Sequence, residues 1–351
     1  MSHLFDPITI GDLQLKNRVI MAPLTRSRAD GPGRVPNALM AEYYRQRASA
    51  GLILTEATAV SAQGVGYADT PGIWSDEQVE GWKQVTAAVH AEGGRIFLQL
   101  WHVGRISDPI FLDGALPVAP SAIAARGHVS LVRPQREYVT PRALDAAELP
   151  GIVAAFRKGA ENAKKAGFDG VEIHGANGYL LDQFLQDSTN QRGDNYGGAL
   201  ENRARLMLEV TDACIEVWGA ARVGMHLAPR RDAHDMGDSD PLATFGYVAR
   251  ELGKRGIAFI CAREAVGADR LGPQLKKEFG GVYIANEKMD KATAERVLAS
   301  GEADAIAFGQ LFIANPDLPR RLQTDAPLNA PNPATFYHPT AEGYTDYPAL
   351  A

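Results

Sequence analysis

The sequence has 351 residues, of which 45% are hydrophobic and 22% charged, values typical of a folded globular enzyme rather than of a disordered or membrane-embedded chain. The formal net charge is −6 and no basic stripe is present, which argues against a nucleic-acid partner. The amino-terminal residues lack a secretory pattern, and no apolar run approaches the about 20 residues that span a bilayer. We therefore expect a cytoplasmic protein with no membrane partner.

Short apolar runs alternate with helical patterns along the chain. Residues 8–16 alternate around a Gly-Asp pair, which predicts a β-hairpin ahead of the main fold. The strands predicted after this hairpin cover residues 17–23, 51–55, 96–101, 171–173, 222–227, 256–260, 281–284 and 303–308. The helices predicted between them cover residues 37–48, 77–92, 150–166, 200–218, 242–255, 271–279 and 289–299. Eight strands with helices between them predict an α/β fold, a (β/α)8 TIM barrel of parallel strands.

One long segment interrupts this alternation after the third strand. Residues 102–149 show no regular period, and five prolines at positions 109, 117, 120, 134 and 141 interrupt them. Loops of such length are uncommon unless they cover a site. We predict that residues 102–149 form a capping subdomain over the barrel mouth and that the tail, residues 323–351, lies across the barrel surface. The chain is expected to be a single domain over residues 1–351.

Polar side chains gather where the fourth predicted strand ends. His174, Asn177 and Tyr179 follow the apolar run 171–173. In barrels of parallel strands, residues at the carboxyl ends of strands usually carry the chemistry. The cluster is therefore a candidate active site, and the alternative is that His174 and Asn177 only cap the turn.

Two further polar features lie on or after predicted strands. Gln99 stands alone in the apolar third strand, and a buried amide requires partners, either from the protein or from a ligand. After the eighth strand, Asn315 is expected to be the N-cap of a helix that starts at Pro316. Barrels often bind a phosphate at such a position.

Several motifs, taken in order, resemble those of one enzyme family. They are Pro23-Leu24-Thr25-Arg26, Glu56-Ala57-Thr58, Leu98-Gln99-Leu100-Trp101-His102-Val103-Gly104-Arg105, His174-Gly-Ala-Asn177-Gly-Tyr179 and Phe312-Ile313-Ala314-Asn315-Pro316-Asp317. This set is similar to the Old Yellow Enzyme family of flavin ene-reductases, and the branch it most resembles is the bacterial xenobiotic reductases and N-ethylmaleimide reductases. The resemblance runs from about residue 3 to the carboxyl terminus, and its motifs are specific in order, spacing and strand position.

The resemblance implies FMN as the cofactor and NADPH, or NADH, as the reductant. It places cofactor contacts at Pro23, Leu24, Thr25, Ala57, Gln99, His174, His226, Asn286, Gly309 and Gln310.

The substrates implied are activated alkenes, namely α,β-unsaturated carbonyls, maleimides and nitroalkenes, with nitrate esters or nitroaromatics as further candidates. His174 and Asn177 would hold the substrate oxygen, and Tyr67 and Tyr344 would line the substrate pocket. After hydride transfer from flavin N5, Tyr179 would donate the proton.

This chain departs from the family pattern at two cofactor positions. His226 and Gln310 stand where many relatives carry arginine, so each departure removes a fixed cation near an anionic cofactor. Lys288, in the loop after the seventh strand, is a candidate replacement for the charge at the phosphate.

Two other readings of the same residues are kept open. A metal-dependent hydrolase would gather His102, His174 and His226 around zinc, although the usual carboxylate and His-x-His spacing is lacking. The other is a barrel that binds flavin without catalysis. For the ene-reductase itself we expect a small-molecule electrophilic alkene or nitro substrate and a monomer or a homodimer.

Overall fold

The computed structural model describes residues 3–230 and 233–350. Its strands are β1 (Ile8–Ile10), β2 (Leu13–Leu15), β3 (Val19–Met21), β4 (Leu52–Ala59), β5 (Ile96–Trp101), β6 (Val118–Ala119), β7 (Arg142–Ala143), β8 (Gly170–His174), β9 (Val223–Leu227), β10 (Phe259–Arg263), β11 (Val282–Asn286) and β12 (Ala305–Phe308). Within these residues, eight parallel strands close a barrel in the order β10-β11-β12-β3-β4-β5-β8-β9. The predicted (β/α)8 TIM barrel is confirmed.

Helices lie on the outside of the barrel, most of them between successive barrel strands and two after the last strand. They are α1 (Ala38–Gln46), α2 (Asp76–Ala91), α3 (Leu149–Lys165), α4 (Leu180–Leu185), α5 (Leu200–Trp218), α6 (Pro241–Arg255), α7 (Gly272–Phe279), α8 (Lys291–Ala299), α9 (Gln310–Ala314) and α10 (Leu318–Thr324). Their apolar faces pack on the strands because a right-handed crossover returns each helix to the sheet. The strand ends that carry polar side chains therefore share one end of the barrel.

Several barrel strands end later than the sequence predicts, and β4 and β10 do so by three residues or more. β4 continues to Ala59 through a shift in its pairing with β5 between Leu54 and Ala57, whereas the prediction ended it at Thr55. β10 covers Phe259–Arg263 rather than 256–260. The physical reason is that Gly256 has a left-handed φ of 65° and closes helix α6, so the chain needs further residues before it enters the barrel.

The amino-terminal hairpin closes one end of the barrel. β1 and β2 pair in an antiparallel arrangement, and their buried side chains form a single apolar cluster with residues from inside the barrel. That cluster includes Ile8, Ile10, Leu13, Leu15, Ile20, Leu54, Phe97, Phe259 and Ile284. This end is filled with apolar side chains, so chemistry is confined to the opposite end.

The segment 102–149 packs over that opposite end. Val129, Val132 and Tyr138 from this segment form an apolar cluster with Trp101 at the end of β5. Tyr67 and Tyr179 pack against the same cluster. The excursion after the third barrel strand therefore contributes one wall of the barrel mouth.

Buried arginines hold the carboxyl-terminal tail in place. Arg26 donates to the carbonyl oxygens of Phe336, at 3.1 Å, and Gly343, at 2.8 Å. Arg28 donates to the carbonyl oxygens of Phe336 and Thr335 at 2.7 and 2.9 Å. Because a guanidinium carries several donors in a fixed plane, each arginine secures more than one turn of the tail.

The helix boundary predicted after the eighth strand is wrong. Asn315 ends helix α9 instead of starting a helix, and its side-chain amide donates to the carbonyl of Leu311 at 2.9 Å. The helix that begins directly after the last barrel strand is α9, with Gly309 as its N-cap. The helix start nearest the barrel mouth therefore lies at Gln310.

Candidate active site

A cavity of about 1200 Å³ opens at the barrel mouth. Ligand sites in proteins usually measure about 300–1,000 Å³, so this volume accommodates a cofactor together with a small substrate. Most residues that the sequence predicted for cofactor or substrate line it, namely Pro23, Leu24, Thr25, Ala57, Tyr67, Gln99, His174, Asn177, Tyr179, His226, Asn286, Gly309 and Gln310.

The prediction that Tyr344 lines the substrate pocket is wrong. Its side chain is fully buried and stacks on Tyr43, with the ring centres 4.0 Å apart. The guanidinium carbon of Arg28 lies 4.4 Å from the centre of the Tyr344 ring. Tyr344 therefore packs among the buried arginines that hold the tail, away from the cavity. The tail residues that line the cavity are Leu328, Pro331, Phe336 and Tyr337.

His174 is set up as a neutral hydrogen-bond donor. The backbone N–H of Ala176 donates to its Nδ1 at 3.4 Å, so Nδ1 is an acceptor and the ring proton lies on Nε2. Burial, with further contributions from His226, Arg263 and His234, lowers the pKa of His174 well below its usual value. The neutral ring therefore offers an N–H at Nε2 without introducing a charge.

Asn177 is held from both its backbone and its side chain. Its backbone has a left-handed φ of 58°, a conformation that asparagine adopts more readily than most residues. Its carbonyl oxygen accepts from Nδ1 of His234 at 2.7 Å, and its Oδ1 accepts from Nη1 of Arg263 at 3.2 Å. The side-chain Nδ2 is left available for a ligand.

Tyr179 is paired with a second tyrosine. Its hydroxyl lies 2.9 Å from the hydroxyl of Tyr67, and both rings pack against Trp101. Burial raises the pKa of Tyr179, and the hydrogen bond with Tyr67 acts in the opposite direction. The phenol is therefore neutral near pH 7 and retains a proton to donate.

A buried polar network crosses the interior below the cavity. Nε2 of Gln99 donates to Glu172 at 2.7 Å, and the other Glu172 oxygen lies 3.3 Å from Nδ1 of His226. The partner required by the lone glutamine of β5 is thus a carboxylate on the neighbouring strand. With these bonds made, the acceptor of Gln99 and the second nitrogen of His226 are available to a ligand in the cavity.

The lining suits a flat heteroaromatic cofactor with an anionic tail. Ala22, Pro23, Ala57 and Ala307 provide an apolar surface, and polar groups stand at its edge: Thr25, Gln99, His226 and Asn286. At another part of the wall, α9 begins at Gln310 with backbone N–H groups that have no partner within the helix. Lys288 lies in the same wall and has no hydrogen-bond or ion-pair partner among the described residues. These groups suit FMN, and Lys288 and the start of α9 are the groups that would hold its phosphate.

Sequence reasoning missed several polar residues of the cavity, among them Arg263 and His234. Arg263 was missed because the sixth strand was placed too early, which left the residue outside a strand end. His234 lies in the loop after β9, and its Nε2 is 3.5 Å from the Tyr67 hydroxyl. If Gly256 had been assigned as the end of helix α6, the sixth barrel strand would have been predicted later, with Arg263 at its carboxyl end.

The histidines required by the hydrolase hypothesis do not form one cluster. His102 is buried outside the cavity lining, and its Nδ1 accepts from the N–H of Gly104 at 3.1 Å. Among the described residues, the metal-ligating side chains that come within 4.8 Å of one another as a group are Glu172, His226 and Cys261. Glu172 in that group already accepts two hydrogen bonds. The geometry does not gather His102, His174 and His226 around one ion.

The fold and the cavity together define a barrel oxidoreductase that binds flavin. The family model for NADH:flavin oxidoreductases and NADH oxidases matches residues 3–329. The protein belongs to this NADH:flavin oxidoreductase / NADH oxidase family. The predicted resemblance to Old Yellow Enzyme is confirmed at the level of the family.

Relatives of the chain match it over nearly its whole length. 12-oxophytodienoate reductase 1 of Oryza sativa subsp. japonica is 45% identical over 359 residues, which cover 99% of this chain and 93% of the relative. A probable flavin mononucleotide-dependent alkene reductase of Leishmania infantum is 44% identical, with coverage of 99% and 97%.

Solved structures agree with the same assignment. Morphinone reductase in complex with tetrahydroNAD has a TM-score of 0.96 and 49% identity, with 100% of this chain and 98% of that chain covered. The Old Yellow Enzyme homologue from Zymomonas mobilis has a TM-score of 0.97 and 47% identity, with 99% and 100% covered. The finer assignment to the xenobiotic reductase and N-ethylmaleimide reductase branch stays a prediction. In the described part of the chain, no helix combines the length and apolarity needed to cross a membrane.

Proposed function

We propose that this protein is an FMN-dependent reductase of activated alkenes, driven by NADPH or NADH. The observation that carries the proposal is the combination, in one cavity, of two neutral N–H donors, on His174 and Asn177, with a neutral phenol, Tyr179. Family membership supports the cofactor, and the relatives' names point to the same reaction class. The substrate class is α,β-unsaturated carbonyls, maleimides and nitroalkenes.

The two donors stabilise charge on the substrate oxygen. The oxygen of a carbonyl or nitro group accepts from Nε2 of His174 and from Nδ2 of Asn177, and both bonds strengthen as negative charge develops. Neutral donors serve here because no charge has to be buried before the substrate arrives. FMN, when bound, supplies hydride transfer to the β-carbon of the alkene. His174 and Asn177 therefore orient the double bond and polarise it.

Tyr179 completes the reaction as the proton donor. A positioned acid is effective when it keeps its proton until a basic carbon appears, and burial keeps this phenol protonated. Tyr67 can donate to the oxygen of Tyr179 when the proton leaves, because the two hydroxyls are within hydrogen-bond distance. Both rings pack against the apolar cluster formed by Trp101 and the segment 102–149.

A spectroscopic titration tests the proposal. Purified protein reconstituted with FMN is mixed with NADPH, and separately with NADH, in the absence of oxygen, and cyclohexenone, N-ethylmaleimide or a nitroalkene is then added. We expect the flavin absorption to bleach with the reduced nucleotide and to return with at least one alkene, with formation of the saturated product. Failure to bind FMN or to bleach refutes the proposal. Bleaching without reoxidation by any of these alkenes would favour a flavin-binding barrel with no alkene reductase activity.

A further inference from the structure

Arg263 lies at the carboxyl end of β10, where it lines the cavity. Its guanidinium contacts Asn177 on one side and Glu287 on the other. We propose that Arg263 is a positioning residue that holds the Asn177 amide with its NH2 group directed to the substrate oxygen. The inference rests on the proposed function, because it concerns the donor that this function assigns to Asn177.

Hydrogen-bond chemistry determines which end of the Asn177 amide faces Arg263. A guanidinium has N–H donors and no acceptor, so the Asn177 atom that faces it at 3.2 Å has to be oxygen. A flipped amide would bring its NH2 group against the cation, with donors facing donors. The amide of an asparagine is otherwise free to adopt either orientation, since its two ends have nearly the same shape. Arg263 removes that choice, and Nδ2 becomes the atom that a ligand meets.

Glu287 in turn fixes Arg263. Its carboxylate accepts from Nε of Arg263 at 2.5 Å, and its side chain is only 11% exposed, against 34% for that of Arg263. Two contacts on different nitrogens define the plane of the guanidinium as well as its position. The donor plane is therefore set before any substrate enters.

The backbone of Glu287 supports a specific role for this side chain. Its φ is 111°, a conformation in which glycine would be unstrained and an L-residue is not. A glutamate at this position is strained, and one of the contacts that its side chain makes is the hydrogen bond from Arg263. Arg263 thus connects the loop after β11 with the turn after β8.

The expected effect is on ligands that offer an oxygen to the donors. Without Arg263, the amide of Asn177 can present its carbonyl to the ligand, and an acceptor then faces an acceptor. Arg263→Met should weaken binding of a para-substituted phenol to the oxidised FMN-loaded protein by about tenfold. Arg263→Lys, which keeps a donor-only group, should restore binding to within about threefold of the parent, whereas Arg263→Gln, which can donate or accept, should not.

A double-substitution cycle separates positioning from direct contact. The dissociation constant of para-hydroxybenzaldehyde is measured by calorimetry and by the change in flavin absorption, for Arg263→Met, Asn177→Ala and the combination. If Arg263 acts through Asn177, adding Arg263→Met to Asn177→Ala changes the constant no further. An equal loss in both backgrounds would mean that Arg263 touches the ligand itself and would overturn the inference. So would an unchanged constant in Arg263→Met.

These outcomes are distinct from failure of the proposed function. A parent protein that binds FMN but reduces no activated alkene refutes the function, and the phenol titration does not depend on that activity. If Arg263→Met does not fold, Arg263→Gln carries the same cycle, because its shorter polar side chain is tolerated at a half-exposed strand end. A loss in Arg263→Gln that persists unchanged in the Asn177→Ala background contradicts the inference.

Discussion

The hydroxyl oxygens of Tyr67 and Tyr179 lie 2.9 Å apart at the mouth of the barrel, although 112 residues separate them in sequence. Each phenol hydroxyl has a single proton to donate. Tyr179 can therefore offer its proton to a ligand only if Tyr67 is the donor in the hydrogen bond between the two hydroxyls. His234 lies 3.5 Å from the Tyr67 oxygen through Nε2, and its Nδ1 donates to the Asn177 carbonyl. The neutral His234 ring therefore competes with Tyr179 for the proton of Tyr67.

Tyr179→Phe should separate the two halves of the catalytic cycle. Reduction by NADPH should be nearly unchanged, whereas reoxidation by an enone should slow by about 10²-fold or more, the usual scale for a positioned acid. Stopped-flow absorption at the flavin band measures both steps on one sample. Equal slowing of both steps, or no slowing of either, would remove Tyr179 from the role of proton donor.

Tyr67→Phe tests the hydrogen-bond partner of Tyr179. It is matched to Tyr179→Phe, because each variant loses one hydroxyl of the same pair. The hydrogen bond from Tyr67 opposes the rise in the pKa of Tyr179 that burial causes, so its loss should make Tyr179 a weaker acid. A neutral hydrogen bond is worth about 1 kcal/mol, which predicts reoxidation slowed about fivefold. An effect as large as that of Tyr179→Phe would instead make Tyr67 the direct donor.

His174→Ala and Asn177→Ala should each weaken stabilisation of the developing oxyanion. Loss of one such donor costs on the order of 2.7–4 kcal/mol in the rate of reoxidation by an enone. The FMN content of the purified variants should hardly change, and absorption spectra after protein denaturation measure it. Parent-like rates in both variants would show that the substrate oxygen binds elsewhere.

Lys288→Ala should loosen FMN if this lysine replaces the missing arginine near the phosphate. Lys288 is exposed, so the expected loss is about 1 kcal/mol, roughly fivefold in the dissociation constant, and it should shrink with added salt. Lys291→Ala is the matched control, because Lys291 lines the same wall but is paired with Asp325. Titration of the apoprotein with FMN measures both.

Gln310→Arg is the reciprocal change at the same site. Because a guanidinium–phosphate pair is roughly twice as strong as a neutral contact, FMN should bind tighter by about 1 kcal/mol. If neither Lys288→Ala nor Gln310→Arg changes the affinity for FMN, the phosphate lies in another part of the cavity.

His102 should make the protein less stable in acid. Burial lowers its pKa from 6.5 to about 3, so between these values the unfolded chain binds a proton that the folded chain does not. The free energy of unfolding therefore falls as the pH drops through this window, by up to about 1.4 kcal/mol per pH unit from this group. His102→Asn keeps an acceptor for Gly104 N–H and should reduce the stability lost between pH 6.5 and pH 5 by about 2 kcal/mol.

Urea unfolding at pH 6.5 and at pH 5 measures how much the free energy of unfolding changes between these pH values. This change does not depend on the absolute stability of the variant. His338→Asn, which removes an exposed histidine, is the control. An unchanged pH dependence in His102→Asn would show that His102 titrates alike in the folded and unfolded chains.

The sequence alone was sufficient for the barrel, the hairpin and several of the residues that line the cavity. β5 and α5 have the predicted bounds, because each is set by local apolar patterning and by turn residues at its ends. Polar residues at the carboxyl ends of strands were also predictable, since parallel strands bring those ends together whatever lies between them. The positions of His174, Asn177 and Tyr179 follow from that rule.

Only the tertiary structure decided which side chains touch. Tyr344 and Tyr337 both belong to an aromatic tail, and the path that Arg26 and Arg28 impose on this tail buries the first and brings the second to the cavity. Arg263 and Asn177 meet although 86 residues separate them. Such contacts depend on the packing of distant strands and loops to within an ångström, and no local pattern of apolar residues encodes that distance.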